Sequence, residues 1–71
     1  MNLAQAEFGK EYQIKNVTVQ DVELKKFLFT LGCYEGETMV VISKVSGNYV
    51  VAIRDGRYNI DRDLAEAIQI A

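Results

Sequence analysis

Histidine and tryptophan are missing from the 71 residues, and cysteine occurs once. Without histidine the chain lacks the commonest general base near neutral pH and the commonest transition-metal ligand. One cysteine cannot close an internal disulfide, so the fold must hold without one, which suits a reducing compartment. Long apolar runs are missing as well. The longest, Met39–Ile42 and Tyr49–Ile53, are far shorter than the roughly 20 residues that cross a bilayer, and no membrane insertion is expected. The opening MNLAQAEFGKEY has no basic start followed by an apolar stretch, so no signal peptide is read there. Excess positive charge is missing too. A net charge of −2 argues against nucleic acid, whose phosphates call for a basic stripe.

What remains is an ordinary globular composition, 49% hydrophobic and 25% charged. Its length is that of one small domain, residues 1–71, which buries only about 60% of the surface its unfolded chain exposes. A core of that size leaves little room for a deep pocket. The expectation is a cytoplasmic domain that works through its surface.

The hydrophobic pattern is mostly of strand type. Tyr12 and Ile14 alternate with polar residues, and so do Val17 and Val19, but the two pairs are out of phase. A period of two cannot keep both on one face, so a bulge or bend is expected near Lys15–Asn16. Leu24, Phe27, Leu28 and Leu31 then recur at helical spacing, with Asp21 placed as an N-cap and Gly32 as a left-handed terminator. Three β-rich runs follow: TMVVISKV, YVVAIR and RYNI. Ser46–Gly47–Asn48 is expected to join the first two, and Asp55–Gly56 to form a two-residue turn between the last two. Asp63 and Glu66 are spaced as a capping box for one helical turn, after which Ala67–Ala71 reads as a closing strand. Five short strands with one inserted helix cannot make a parallel sheet. The expected fold is mainly β: a small SH3-like barrel with one inserted α-helix and a short helical turn near the C-terminus.

No catalytic constellation can be assembled from these residues, and no cofactor is expected. Cys33 follows a helix C-terminus, whose partial negative charge raises a thiol pKa, and nothing nearby in sequence would activate it. It is read as a packed, inert residue. The carboxylates group as Glu35/Glu37 and as Asp61/Asp63/Glu66. Either group is a candidate for weak oxygen-only ligation of a hard cation, but the second also stands where helix caps belong. No metal ligand is assigned. The remaining candidate is the back of the helix. Val22 and Phe29 lie seven apart on one stripe, roughly opposite the leucine face, and Lys25 and Lys26 flank it. That stripe is either a partner-binding patch or a surface over which Leu3–Phe8 folds.

Taken in order, several of these segments form a pattern. Leu3…Phe8-Gly9 leads into a strand and a leucine-rich helix. The helix ends in Leu31-Gly32-Cys33-Tyr34-Glu35-Gly36, the strand Thr38–Ile42 follows, and the chain closes on Ala65-Glu66-Ala67-Ile68-Gln69-Ile70. Across its whole length the chain resembles the ferrous iron transport protein A family. It differs from many members in having no proline and only a short turn at Ser46–Asn48, and in carrying Lys25 and Lys26 where arginine is frequent. The resemblance implies an SH3-like barrel and an accessory role. The implied partner is the cytoplasmic, GTP-binding portion of a membrane ferrous iron transporter. Val22, Lys25, Lys26 and Phe29 are the expected contact, with Cys33 and Tyr34 at its edge. It also leaves open a metalloregulatory module, because a similar domain ends iron-dependent repressors. The β-rich edges of the expected barrel, separately, leave open weak self-association.

Overall fold

Alternating burial builds one antiparallel sheet. A computed structural model describes residues 1–71. After a 3₁₀ turn at Leu3–Gln5, the elements are β1 (Glu11–Val17), α1 (Val22–Leu31), β2 (Thr38–Val45), β3 (Asn48–Ile53), β4 (Gly56–Ile60), α2 (Arg62–Ala67) and β5 (Ile68–Ile70). The strand order is β4-β3-β2-β1-β5. Tyr12 and Ile14, Met39 and Val41, and Tyr49, Val51 and Ile53 point inward at the spacing of two that a pleated strand requires. Ile60, Ile68, Ile70, Ala65, Leu3, Leu28 and Cys33 complete the core, and no polar or charged residue is fully buried with them.

The break in phase along β1 is a bulge. Glu11–Gln13 pair with β2, whereas Ile14, Asn16 and Val17 pair with β5, and the register slips between Ile14 and Asn16. Lys15 is the extra residue. One strand thereby serves two neighbours and turns the corner between them, a common use of a bulge at a barrel rim.

Both tight turns differ by a residue from the sequence expectation. Val45 pairs with Asn48, so the β2–β3 loop is only Ser46–Gly47, with φ of 50° and 82°. Ile53 pairs with Gly56, so the β3–β4 loop is Arg54–Asp55 rather than Asp55–Gly56, with Arg54 at φ 55°. The expected register would have set Arg54 opposite Arg57, two like charges across a ladder. Gly56 instead lies within β4 under Tyr58, where an added Cβ would run into the phenol ring.

Both ends of α1 are as expected, with Gly32 left-handed at its C-terminus, whereas the cap of α2 is not. Asp21 caps α1 as expected, accepting from the backbone N–H groups of Glu23 and Leu24 at 2.9 and 3.3 Å. The leucine face, however, is largely uncovered. Leu28 is fully buried and Leu31 partly, but Leu24 is 40% exposed and Phe27 48%. Only the last turn of α1 reaches the core, because a sheet this short has no surface left for the first two. In α2 the cap is Asp61, accepting from Leu64 N–H at 2.9 Å, and not Asp63, which lies in the first turn. Glu66 completes no capping box; it binds the Arg62 guanidinium at 3.2 Å.

Candidate docking groove

Four residues of α1 at positions i, i+3, i+4 and i+7, Val22, Lys25, Lys26 and Phe29, form one wall of an open groove of about 480 Å³. That spacing places them on a single helical stripe. Cys33 and Tyr34 continue the lining beyond the helix. All six residues named from sequence as a contact surface therefore face one concavity. Its other wall, Lys15, Asn16 and Val17 at the bulged end of β1, was not anticipated, nor was Glu35. The phase break at Lys15–Asn16 was the signal that could have found it, since a bulge re-aims side chains at a strand's end.

The Leu3–Phe8 segment does not cover this groove. Leu3 is buried in the core, Met1 C=O accepts from Ile70 N–H at 2.8 Å, and Asn2 bridges Gln69, so the N-terminal segment is tied to β5. Val22 and Phe29 stay 64% and 54% exposed.

The end of α1 sets the floor. Gly32, at φ 101°, donates its N–H to Phe29 C=O at 3.0 Å, and Cys33 donates to Leu28 C=O at 2.9 Å. This bond pair is a Schellman motif, which characteristically brings the second residue past the helix into apolar contact with the last turn. Cys33 is that residue, and both it and Leu28 are buried. Burial pushes the Cys33 thiol up to about 11, so it stays protonated and is a poor nucleophile at neutral pH.

Tyr34 stands at one end of the groove in a chain of contacts. Its ring meets that of Phe29 edge-on, centroids 4.9 Å apart at 64°, a favoured aromatic geometry. The Arg54 guanidinium lies 5.6 Å from the Tyr34 centroid. Arg54 is itself held by Glu37 through Nε at 3.0 Å and Nη2 at 3.4 Å. That hydrogen bond and the Glu37 charge raise the Arg54 pKa further. Three lysines, Lys15, Lys25 and Lys26, border the apolar lining against one carboxylate, Glu35. The groove is thus positive on a chain whose net charge is −2.

Three of the five candidate cation ligands are engaged in other contacts. Asp61 caps α2, Glu66 pairs with Arg62, and Glu37 pairs with Arg54. No three carboxylate or thiol groups converge anywhere in the structure. The chemistry that the groove offers is binding: an apolar lining, aromatic rings at one end and ammonium groups along its rims.

No helix is long and apolar enough to cross a membrane. A search of curated protein sequences finds no match. Solved structures share the fold at low identity. An iron uptake regulatory protein, FeoA, superposes at TM-score 0.85 and 18% identity, covering 99% of this chain and 92% of its own. FeoA of Stenotrophomonas maltophilia, a prokaryotic SH3 domain protein solved with zinc, superposes at 0.88 and 16%, over 100% and 89%. A manganese-dependent transcriptional repressor gives 0.89 and 16%, over 100% of this chain and 40% of the repressor. The FeoA domain model matches residues 1–71, and with it the chain belongs to the FeoA family of small SH3-like proteins associated with ferrous iron transport.

Proposed function

We propose that this protein is a non-catalytic cytoplasmic accessory of a bacterial ferrous iron transporter. It docks through the α1 groove on the transporter's cytoplasmic, GTP-binding portion and thereby modulates iron uptake. The observation that carries this reading is the uncovered groove itself, with Val22 and Phe29 exposed beside Lys25 and Lys26. Desolvated aromatic side chains in a concave patch are the usual energetic centre of a protein interface, and family membership supplies the transport context.

Docking changes transport only if the accessory binds two transporter conformations with different affinity. A tenfold preference shifts their ratio by about 1.4 kcal/mol. The metalloregulatory reading has the shared repressor fold behind it but no convergent ligand set.

The test is capture of the purified cytoplasmic portion of the transporter by this chain. Wild type should retain it, and Phe29→Asp, which sets a carboxylate in the apolar lining, should lose it. Retention by Phe29→Asp at the wild-type level would overturn the assignment.

A further inference from the structure

The groove's electrostatics specify what fits it. Its apolar residues, Val17, Val22, Phe29 and Cys33 among them, are bordered by Lys15 on the β1 wall and by Lys25 and Lys26 on the helix wall. An occupant must therefore offer apolar side chains to the lining and negative charge to both rims. A volume of about 480 Å³ lies within the ~300–1,000 Å³ of concave sites that enclose a drug-sized ligand. It suits a few side chains of a segment rather than a flat domain face.

The backbone of the β1 wall adds a second feature. On its β2-facing side, β1 pairs as far as Gln13, and Ile14 exchanges bonds with Glu37 C=O at 2.8 Å and Gly36 N–H at 2.9 Å. Beyond Ile14 no strand lies on that side; Asn16 and Val17 pair only with β5, on the other. Lys15–Val17, which form the groove wall, are thus a short open strand edge. An open edge accepts an extended segment by strand addition, with alternate side chains entering the neighbouring pocket.

We infer that the groove binds an extended, acidic polypeptide segment, whose alternate apolar side chains lie against Val22 and Phe29 and whose carboxylates meet Lys15, Lys25 and Lys26. A second copy of this chain docking groove to groove would bring six lysines together across a two-fold axis, so an isologous dimer is disfavoured there. The inference rests on the groove being the docking site proposed above, and it names the chemistry of the partner's contact.

The probe is a fluorescein-labelled decapeptide alternating Glu with Leu or Phe, compared by anisotropy with the same peptide carrying Lys in place of Glu. The acidic peptide should bind and the basic one should not. Lys25→Glu/Lys26→Glu and, separately, Lys15→Glu should each weaken binding at least tenfold, with the fold of each variant checked by circular dichroism. Raising salt from about 0.05 to 0.5 M should weaken binding as well, because exposed charges are screened. In amide NMR spectra the peptide should shift and protect Lys15–Val17.

Equal binding of both peptides, binding of neither, or shifts confined to another face would overturn the inference. So would peptide-independent binding to phosphatidylglycerol vesicles that Lys25→Glu/Lys26→Glu abolishes, which would make the lysines a lipid surface. The two readings fail separately. Transporter capture lost in Phe29→Asp but untouched by all three lysine reversals keeps the docking reading and refutes the acidic segment. Acidic peptide bound in the groove without any transporter capture does the reverse.

Discussion

Leu24 and Leu28 are one helical turn apart on the same face of α1, yet Leu24 is 40% exposed and Leu28 is not exposed at all. Truncating either to alanine deletes the same atoms and changes helix propensity by the same small amount, so a difference in cost reports packing alone. At Leu28 the loss comes from a sealed core and carries a cavity term. Its expected cost is in the upper part of the ~2–5 kcal/mol seen for such truncations. At Leu24 only partly covered surface is lost, worth about 1 kcal/mol at ~25 cal/mol per Å² of apolar area. The expected gap is therefore about 2.5–4 kcal/mol, or roughly a 70- to 900-fold difference in the unfolding equilibrium. Urea titrations followed by far-ultraviolet circular dichroism measure it, provided the slopes agree among variants. A core this small supplies only ~3–5 kcal/mol in total. All proteins should therefore be compared in the same concentration of trimethylamine N-oxide, which keeps Leu28→Ala folded at the start of the titration. Equal costs, within about 0.5 kcal/mol, would refute the reasoning; Leu24 would then be as sealed as Leu28.

Three further outcomes are expected. Gly32→Ala should cost about 1–2 kcal/mol in the same assay, since φ is 101° and an added Cβ would stand 3.0 Å from Ile53 Cγ2; a loss below about 0.5 kcal/mol would contradict it. Cys33, with its pKa raised from 9.0 to about 11, should react with iodoacetamide far more slowly in the native protein than in urea at pH 8. The unfolded thiol ionises first, so this group's contribution to stability is complete below pH 9 and fades between about pH 9 and 11; Cys33→Ala should remove that part of the alkaline loss. Arg54→Ala should move the ring-proton shifts of Tyr34 and Phe29, because it frees one end of the Glu37–Arg54–Tyr34–Phe29 chain. Its stability should change little, as for exposed ion pairs, and unchanged ring shifts would show that Arg54 does not position Tyr34.

The strands were legible because each has a half-buried face, and burial imposes a period of two that survives in the sequence. The bulge at Lys15 was legible for the same reason, as a break in that period. The β3–β4 turn was misread by one residue because Asp-Gly is a strong local turn signal. The deciding factors, the Arg54–Arg57 repulsion that the expected register would create and the seat of Tyr58 over Gly56, are cross-strand effects that a dipeptide turn signal does not weigh. Asp63 lost the cap of α2 to Asp61 by a similar two-residue ambiguity. The α1 stripe facing the groove was found by spacing alone, whereas its partner wall belongs to a different element and needed the fold.

Along the apolar face of α1, topology overrode pattern. β1 and β2 are adjacent antiparallel strands, so the segment between them must leave the sheet and return beside it. Thr18 pins the departure, through its N–H and its hydroxyl, to Ala67 C=O at 2.8 and 3.1 Å. The Gly36–Ile14 bond pins the return. A ten-residue helix spans about 15 Å, and with its C-terminal turn fixed in the core by Leu28, its first two turns lie beyond what the sheet can cover. They stand instead across from the bulged end of β1, where Lys15 and Val17 face them. The groove is thus the space left between an overhanging helix and a strand that has run out of partners on its β2-facing side. Closing it by packing Val22 and Phe29 inward would require a longer β2 and a straight β1. The exposure of those two side chains therefore follows from the same connection that opens the groove.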